Sequence, residues 1–227
     1  LVLMMVCCGM LIFQPDFGQA CIVFFGWAVM YFVAGAPMAL LLALAGLAVA
    51  IGVVAYGHSE HFARRIDGFL YPDFDPTSQL GYATNAIREG GILGVGVGEG
   101  QVKWSLPDAH TDFIIAVAAE EFGLIMVLII IALYMSIVVR TLLRLMRERD
   151  PFIRLAGTGL ACIFGIQAFI NLGVAVRLLP AKGMTLPFVS YGGSSLIAGG
   201  IAVGMLLAFT RTRAQGEIGD LLRARVR

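Results

Sequence analysis

The sequence predicts an all-α, polytopic integral membrane protein, and three observations predict it. Of the 227 residues, 59% are hydrophobic and only 14% are charged, whereas a soluble domain carries about 25% charged residues. The mean hydropathy is +0.88. The apolar residues also fall into long runs separated by polar connections. One aqueous core cannot hide this excess, so the bilayer is the expected solvent. The net charge of +1 says nothing about nucleic acid, no basic run suggests it, and no nucleic-acid partner is expected.

Residues 1–13 are apolar but shorter than the roughly 20 residues a span needs, so they read as part of a helix. The chain opens at Leu1 inside this run with no charged leader segment, and the expectation is the C-terminal part of a longer protein. Gln14-Pro15-Asp16-Phe17-Gly18-Gln19 interrupts the run, since Pro and Gly break or kink a helix. Spans are expected at 18–34 and 39–56, turning at Gly35-Ala36-Pro37. Residues 57–112 are far more polar and read as a long loop, folded back or re-entrant, with a short amphipathic helix from Tyr82 to Ile87. A loop of that length is usually functional. Spans then follow at 113–139, 153–178 and 188–209, with a tail over 210–227. Cys7, Cys8, Cys21 and Cys162 all lie in apolar stretches and read as buried small hydrophobes.

Arginines fix the orientation. Arg140, Arg144, Arg147 and Arg149 lie between two spans, and Arg211, Arg213, Arg223, Arg225 and Arg227 lie in the tail. The positive-inside rule assigns both to the cytoplasm. The loop at 57–112, the turn at 179–187 and the region of Asp16 then share the outer side.

On that side Leu106-Pro107-Asp108-Ala109-His110-Thr111-Asp112-Phe113 closes the polar segment and opens an apolar one. A carboxylate beside hydrocarbon is costly unless it has a partner or a function. Thr111 or Asp112 as a helix N-cap is one reading; a catalytic set or part of a metal site is another. Ala116, Ala119 and Gly123 follow Asp112 at helical spacing, a small-residue groove for a neighbouring helix or a lipid chain. Glu120 and Glu121 are expected to be paired, with an arginine as the candidate partner. Gly90 to Gly100 fails the dinucleotide template, because Glu99 and Gln101 stand where glycine is required. It reads either as a flexible or tightly turning re-entrant loop or as backbone that closes over a bulky polar substrate. Lys182, Ser190, Tyr191, Ser194 and Ser195 are candidates to bind phosphate or sugar. His58 and His61 read as plain loop residues.

Gln14-Pro15-Asp16-Phe17-Gly18, the 106–113 stretch with Glu120-Glu121-Phe122-Gly123, Asn171-Leu172-Gly173 and Leu179-Pro180-Ala181-Lys182-Gly183 through Ser195 occur in this order. Together they resemble the SEDS family (FtsW/RodA). Lys182-Gly183-Met184-Thr185-Leu186-Pro187 resembles its division branch more than its elongation branch. The resemblance covers the whole chain and implies the C-terminal part of a fold of about ten spans in the bacterial inner membrane. It implies peptidoglycan glycosyltransferase activity on lipid II at the periplasmic face, serving septal cell-wall synthesis. The implied partners are lipid II, a class B penicillin-binding protein, other divisome membrane proteins and membrane lipid. Asp112 falls on the position taken as catalytic, Asp108 where the family more often has Glu, and Lys103 on a frequent lysine. Trp104 and Arg177 depart from the pattern, standing where polar or charged and small or neutral residues are more usual. The basic residues that the family carries on earlier spans are not in this chain.

On that resemblance Asp112 is the expected general base of an inverting transfer. Lys103, Lys182 and Arg65 are candidates for the pyrophosphate, and Asp108, His110, Ser190, Tyr191, Ser194 and Ser195 for other substrate contacts. No cofactor is established; a divalent cation such as Mg bridging pyrophosphate to Asp108 or Asp112 is the one candidate. The rival expectations are a lipid II flippase and a non-catalytic membrane scaffold for the penicillin-binding protein.

Overall fold

The computed structural model describes residues 1–14, 16–70, 78–179 and 183–211, without the side chains of residues 17, 61, 64, 65, 69 and 70. Every regular element among them is helical: α1 (Val2–Phe13), α2 (Phe17–Val33), α3 (Met38–His58), α4 (Glu60–Leu70), α5 (Gln79–Gly90), a 3₁₀ turn (Val102–Trp104), α6 (Ile114–Leu145), α7 (Pro151–Ala175) and α8 (Gly193–Thr210). Four of these, α3, α6, α7 and α8, are long and apolar enough to cross a membrane. The protein is an all-helical membrane protein. The 21 residues of α3 measure about 32 Å at the helical rise, matching a hydrocarbon core of about 30 Å. The 17 residues of α2 measure only about 26 Å.

Capping explains several boundaries. Asp16 accepts the Gln19 N–H (3.1 Å) and starts α2. Ser78 accepts the Gly81 N–H (3.0 Å) and starts α5. Asp150 accepts the Phe152 N–H (2.9 Å), with Pro151 in the first helical position, and starts α7. At the far end of α7, Arg177 takes φ +59°, where glycine is usual, so that Leu178 N–H reaches the Gly173 carbonyl (2.7 Å) and Arg177 N–H the Val174 carbonyl (3.1 Å). This tight closure ends α7 at Ala175 rather than at 178 and accounts for the local backbone at the unusual arginine.

The packed centre lies where α5, α6 and α7 meet. Ala83 and Ala86 of α5 cluster with Ala116 of α6, Val174 of α7, Leu106 and Phe113. Below them Ile115, Ala119 and Val127 of α6 pack with Ala168 and Ala175 of α7 and Leu186. The Ala116–Ala119–Gly123 stripe is therefore a packing surface, with Ala116 and Ala119 against α5 and α7 and Gly123 against the glycine-rich loop, rather than a groove for a lipid chain. Small side chains let the backbones approach closely.

The loop expected at 57–112 is largely built. It contains α4 in addition to the expected helix, and α5 exceeds Tyr82–Ile87 at both ends. The expected Tyr71–Asp73 and Asp75-Pro76 turns lie outside the described residues, as do Pro180 to Lys182 and the tail arginines beyond Arg211. Two span limits also differ. α6 runs on to Leu145, so Arg140 and Arg144 lie on the helix rather than in a connection. α8 starts at Gly193, not 188, because residues 183–192 follow an irregular path against the sides of α6 and α7, with Leu186 packed beside Val127 and Ala168 and the Pro187 carbonyl bonded to Tyr134.

The main irregularity is inside α6. Gly123 has φ +77° and ψ −178°, which breaks the helix. That conformation is essentially restricted to glycine, and a Cβ there would stand 2.3 Å from the Ile92 carbonyl oxygen. Helical bonding is lost around the break, and the glycine-rich loop replaces it. Val95 N–H donates to the Glu120 carbonyl (2.9 Å) and Gly96 N–H to the Glu121 carbonyl (3.1 Å). In return Leu124 N–H donates to the Gly91 carbonyl (3.0 Å) and Ile125 N–H to the Ile92 carbonyl (3.4 Å). Loop and helix are spliced, and buried backbone groups that a kink would orphan are satisfied. Gly94 sits at the splice with φ +83°; a Cβ there would fall 2.2 Å from the Glu121 carbonyl oxygen. Of the two readings of the glycine run, the tightly turning loop describes this arrangement.

Candidate functional site

Residues 106–113 form a compact turn on top of α6. Asp108 adopts φ +55°, a left-handed conformation that aspartate tolerates better than most residues. Its carbonyl then accepts the N–H groups of Thr111 (3.1 Å), Asp112 (3.1 Å) and Phe113 (3.3 Å), and the Thr111 hydroxyl (3.2 Å). Phe113 occupies the N-cap position of α6 and makes no side-chain cap. Neither Thr111 nor Asp112 caps the helix, so capping does not explain the carboxylate.

A second segment, residues 183–191, is laid against this turn and held by donors from two helices. Gln167 and Asn171 lie one turn apart on α7. Gln167 Nε2 donates to the Thr185 carbonyl (3.1 Å), and Asn171 Nδ2 donates to the Met184 carbonyl (2.6 Å). The Tyr134 hydroxyl, from α6, donates to the Pro187 carbonyl. The same Asn171 Nδ2 also reaches the Asp112 carbonyl (3.0 Å), so one buried amide fixes both segments. The Ser190 hydroxyl accepts the Leu186 N–H (2.8 Å) and donates to the Thr111 carbonyl (2.5 Å). Tyr191 N–H donates to the His110 carbonyl (2.9 Å), and the two rings meet edge to face at 5.7 Å.

The Asp112 main chain is thus held from two sides: its N–H by Asp108, its carbonyl by Asn171. Its carboxylate is half-buried and lies against Gly183, where a Cβ would stand 3.3 Å from Oδ2. Among the described residues none donates a hydrogen bond to that carboxylate. Burial, and secondly the nearby Asp108 charge, hold the Asp112 carboxyl above the usual carboxylate range.

The structure brings Asp108, His110, Asp112, Ser190 and Tyr191 together. Asp108, His110 and Tyr191 are exposed; the Ser190 hydroxyl is fully engaged in joining the two segments. Ser194 is exposed on the first turn of α8, and the Ser195 hydroxyl donates to the Gly192 carbonyl (3.0 Å). Lys103 lies on the 3₁₀ turn; its ammonium pairs with Glu121 and sits 5.3 Å from the centre of the exposed Trp104 ring. Lys182 and the Arg65 side chain lie outside the described residues; the Arg65 backbone is on α4. The partners of the two glutamates differ from the expected arginine. Glu121 pairs with Lys103, and fully buried Glu120 accepts the N–H groups of Val102 (2.8 Å) and Lys103 (3.0 Å). Sequence reasoning gave no role to Gln167, Asn171 or Tyr134. Their signal was polar groups, two of them four residues apart, inside otherwise apolar spans.

Among the described residues no three of His, Cys, Asp and Glu gather as metal ligands. Asp108 and Asp112 alone, with Asp108 exposed, do not form a protein-held cation site.

A family profile described as "Cell cycle protein", covering FtsW, RodA and SpoVE, matches residues 1–215. The chain belongs to the FtsW/RodA/SpoVE family. It is 44% identical over 216 residues to a probable peptidoglycan glycosyltransferase FtsW of Caulobacter vibrioides, covering 93% of this chain and 55% of that one. It is 40% identical to the FtsW of the same description from Trichlorobacter lovleyi, covering 91% and 55%. The chain spans about half the length of the curated relatives it matches. Among solved structures it is similar to a chain from a study of how a peptidoglycan synthase complex coordinates polymerization and crosslinking, at 32% identity and TM-score 0.71, covering 94% of this chain and 61% of that one. It is also similar to an aspartate-to-alanine variant of the rod-shape-determining protein RodA of Thermus thermophilus, at 30% identity and TM-score 0.61, covering 93% and 56%.

Proposed function

We propose that the protein of which this family segment forms a part is a peptidoglycan glycosyltransferase that polymerises lipid II at the outer face of the bacterial inner membrane during septal wall synthesis. The observation that carries the reading is the state of Asp112. Its main chain is clamped by Asp108 and Asn171, while its carboxylate is half-buried, raised in pKa and unused by the described fold. A carboxylate so placed is a suitable general base, because the raised pKa brings its basicity nearer the working pH.

The reaction is a single displacement. Asp112 takes the proton of the acceptor sugar's 4-hydroxyl. The oxygen attacks the anomeric carbon of the donor from the face opposite the diphosphate. The carbon–oxygen bond to the diphosphate breaks, and its electron pair leaves with the polyprenyl diphosphate. An α-linked donor becomes a β-linked product. The diphosphate is anionic in the bound donor and in the departing group alike and needs cations, for which Lys103, Lys182 and Arg65 are the candidates in this chain. Asp108, His110 and Tyr191 rim the same turn and are available to touch sugar; Ser194 and Ser195 stand at the nearby start of α8. The partner in this reading is a class B penicillin-binding protein that crosslinks the emerging strand, in keeping with the synthase complex named for the similar structure.

The test uses the full-length natural protein with its penicillin-binding partner and labelled lipid II, with glycan resolved on a gel. Wild type makes polymer and Asp112→Asn does not, while remaining folded and partner-bound. Undiminished polymer from Asp112→Asn overturns the base assignment, and movement of intact lipid II across liposomes without polymer favours a flippase.

A further inference from the structure

Glu120 is fully buried, and the mechanism above gives it no task. It belongs to the helix that begins just after Asp112, and it reaches back to the loop before the site. Its carboxylate accepts the Val102 and Lys103 N–H groups at 2.8 and 3.0 Å, one on each oxygen. Its carbonyl accepts Val95 N–H. Glu121 repeats the pattern one residue on: its carbonyl accepts Gly96 N–H, and its carboxylate pairs with the Lys103 ammonium. The segment 95–103 is thereby tied at both ends to two consecutive residues of α6. Gly100 closes over the clasp, where a Cβ would stand 2.8 Å from the Glu120 carboxyl carbon.

Two convergent N–H donors call for two acceptor oxygens. Glutamine offers one, and turns an NH₂ toward the other donor. Burying a carboxylate is costly unless it is fully bonded. Here that cost is met at the turn that carries Lys103. We propose that Glu120 is a positioning residue: its carboxylate fixes the Val102–Trp104 turn and so sets where the Lys103 ammonium meets the diphosphate of the lipid-linked substrate. The second half of this statement rests on the reading under Proposed function; the first half does not.

The experiment perturbs the clasp from both sides in the full-length natural protein, with Glu120→Gln on the helix and Gly100→Ala on the loop. Hydrogen exchange by mass spectrometry reads the clasp without any activity. Peptides covering 94–105 are expected to exchange at least about tenfold faster in both variants, while peptides of α7 keep their protection. Steady-state polymerisation of labelled lipid II reads the consequence. KM is expected to rise about five- to tenfold with kcat within about twofold, since a displaced binding contact raises KM. A merely structural role reduces the amount of active enzyme, which lowers apparent kcat and leaves KM alone. Unchanged exchange in 94–105, or a fall in kcat at constant KM, overturns the proposal. Should Glu120→Gln fail to fold, Gly100→Ala decides by the same readouts. Should wild type itself make no polymer, the glycosyltransferase reading falls with the Lys103 clause, and the exchange arm alone judges whether Glu120 holds the turn.

Discussion

Residues 90–101 and residues 106–113 both lead into α6, and they use their atoms in opposite ways. The glycine-rich loop turns its apolar side chains outward, and its backbone N–H and carbonyl groups are spent on the break at Gly123. In the second loop the main chain also does the holding, through the carbonyls of Asp108, His110, Thr111 and Asp112. Its side chains at 108, 110 and 112 are left over. Fixing a reactive group by its backbone is a good way to pre-organise it, because no capacity of the functional atoms is consumed. Ser190 shows the contrast within one site: its hydroxyl is filled by the fold, whereas the Asp112 carboxylate is not.

Substitutions can break this contrast, beginning with the largest expected effect. Asp112→Asn removes the base without disturbing the backbone clamp. Polymer formation from labelled lipid II is expected to fall by about 10²–10⁴-fold, with a melting temperature in detergent close to wild type. Gly123→Ala attacks the spliced loop instead. It forces alanine into a glycine-only conformation against the Ile92 carbonyl, and a destabilisation of about 3 kcal/mol is expected from thermal or denaturant unfolding. A stability unchanged by that substitution would show that the loop does not depend on the break. Ser190→Ala leaves the Leu186 N–H and the Thr111 carbonyl without their shared partner, and is expected to cost about 1–3 kcal/mol of stability. KM for lipid II should stay near wild type; a raised KM at unchanged stability would return Ser190 to the substrate contacts.

Asp108→Asn gives the mildest change and tests the electrostatics. Asparagine also tolerates the left-handed backbone at 108, so the turn should persist. Asp112 must be ionised to act as a base, so activity falls as pH drops through its raised pKa. Removing the Asp108 charge lowers that pKa, and the acidic limb of the kcat/KM profile should shift to lower pH. A shift to higher pH would contradict the like-charge arrangement.

Much of this architecture was legible in the sequence. Long apolar runs locate α3, α6, α7 and α8, because only helices satisfy their backbone in lipid by themselves. The cluster at 108–112 was conspicuous because polarity at the head of an apolar run is expensive. Two kinds of feature were not legible. Gly123 sits in an apolar helix where glycine is ordinary, and nothing local signals that distant glycines complete its hydrogen bonds. Asn171 binding the Asp112 carbonyl is likewise a contact between residues far apart in the chain, and helical periodicity reports a face, not a partner. Charge alone points to an arginine beside Glu120 and Glu121; backbone N–H groups are as good a partner and carry no sequence signature.

The splice at Gly123 also sets where the chain can change length. Register between Gly91–Gly96 and Glu120–Ile125 is fixed bond by bond, so deleting or inserting one residue there would put every donor opposite the wrong acceptor. One or two residues further on the constraint ends: Val97 is exposed, and no other part of the fold packs against Gly98. That tip is the place in this region where a tag, an epitope or a natural insertion can be carried without the membrane helix noticing.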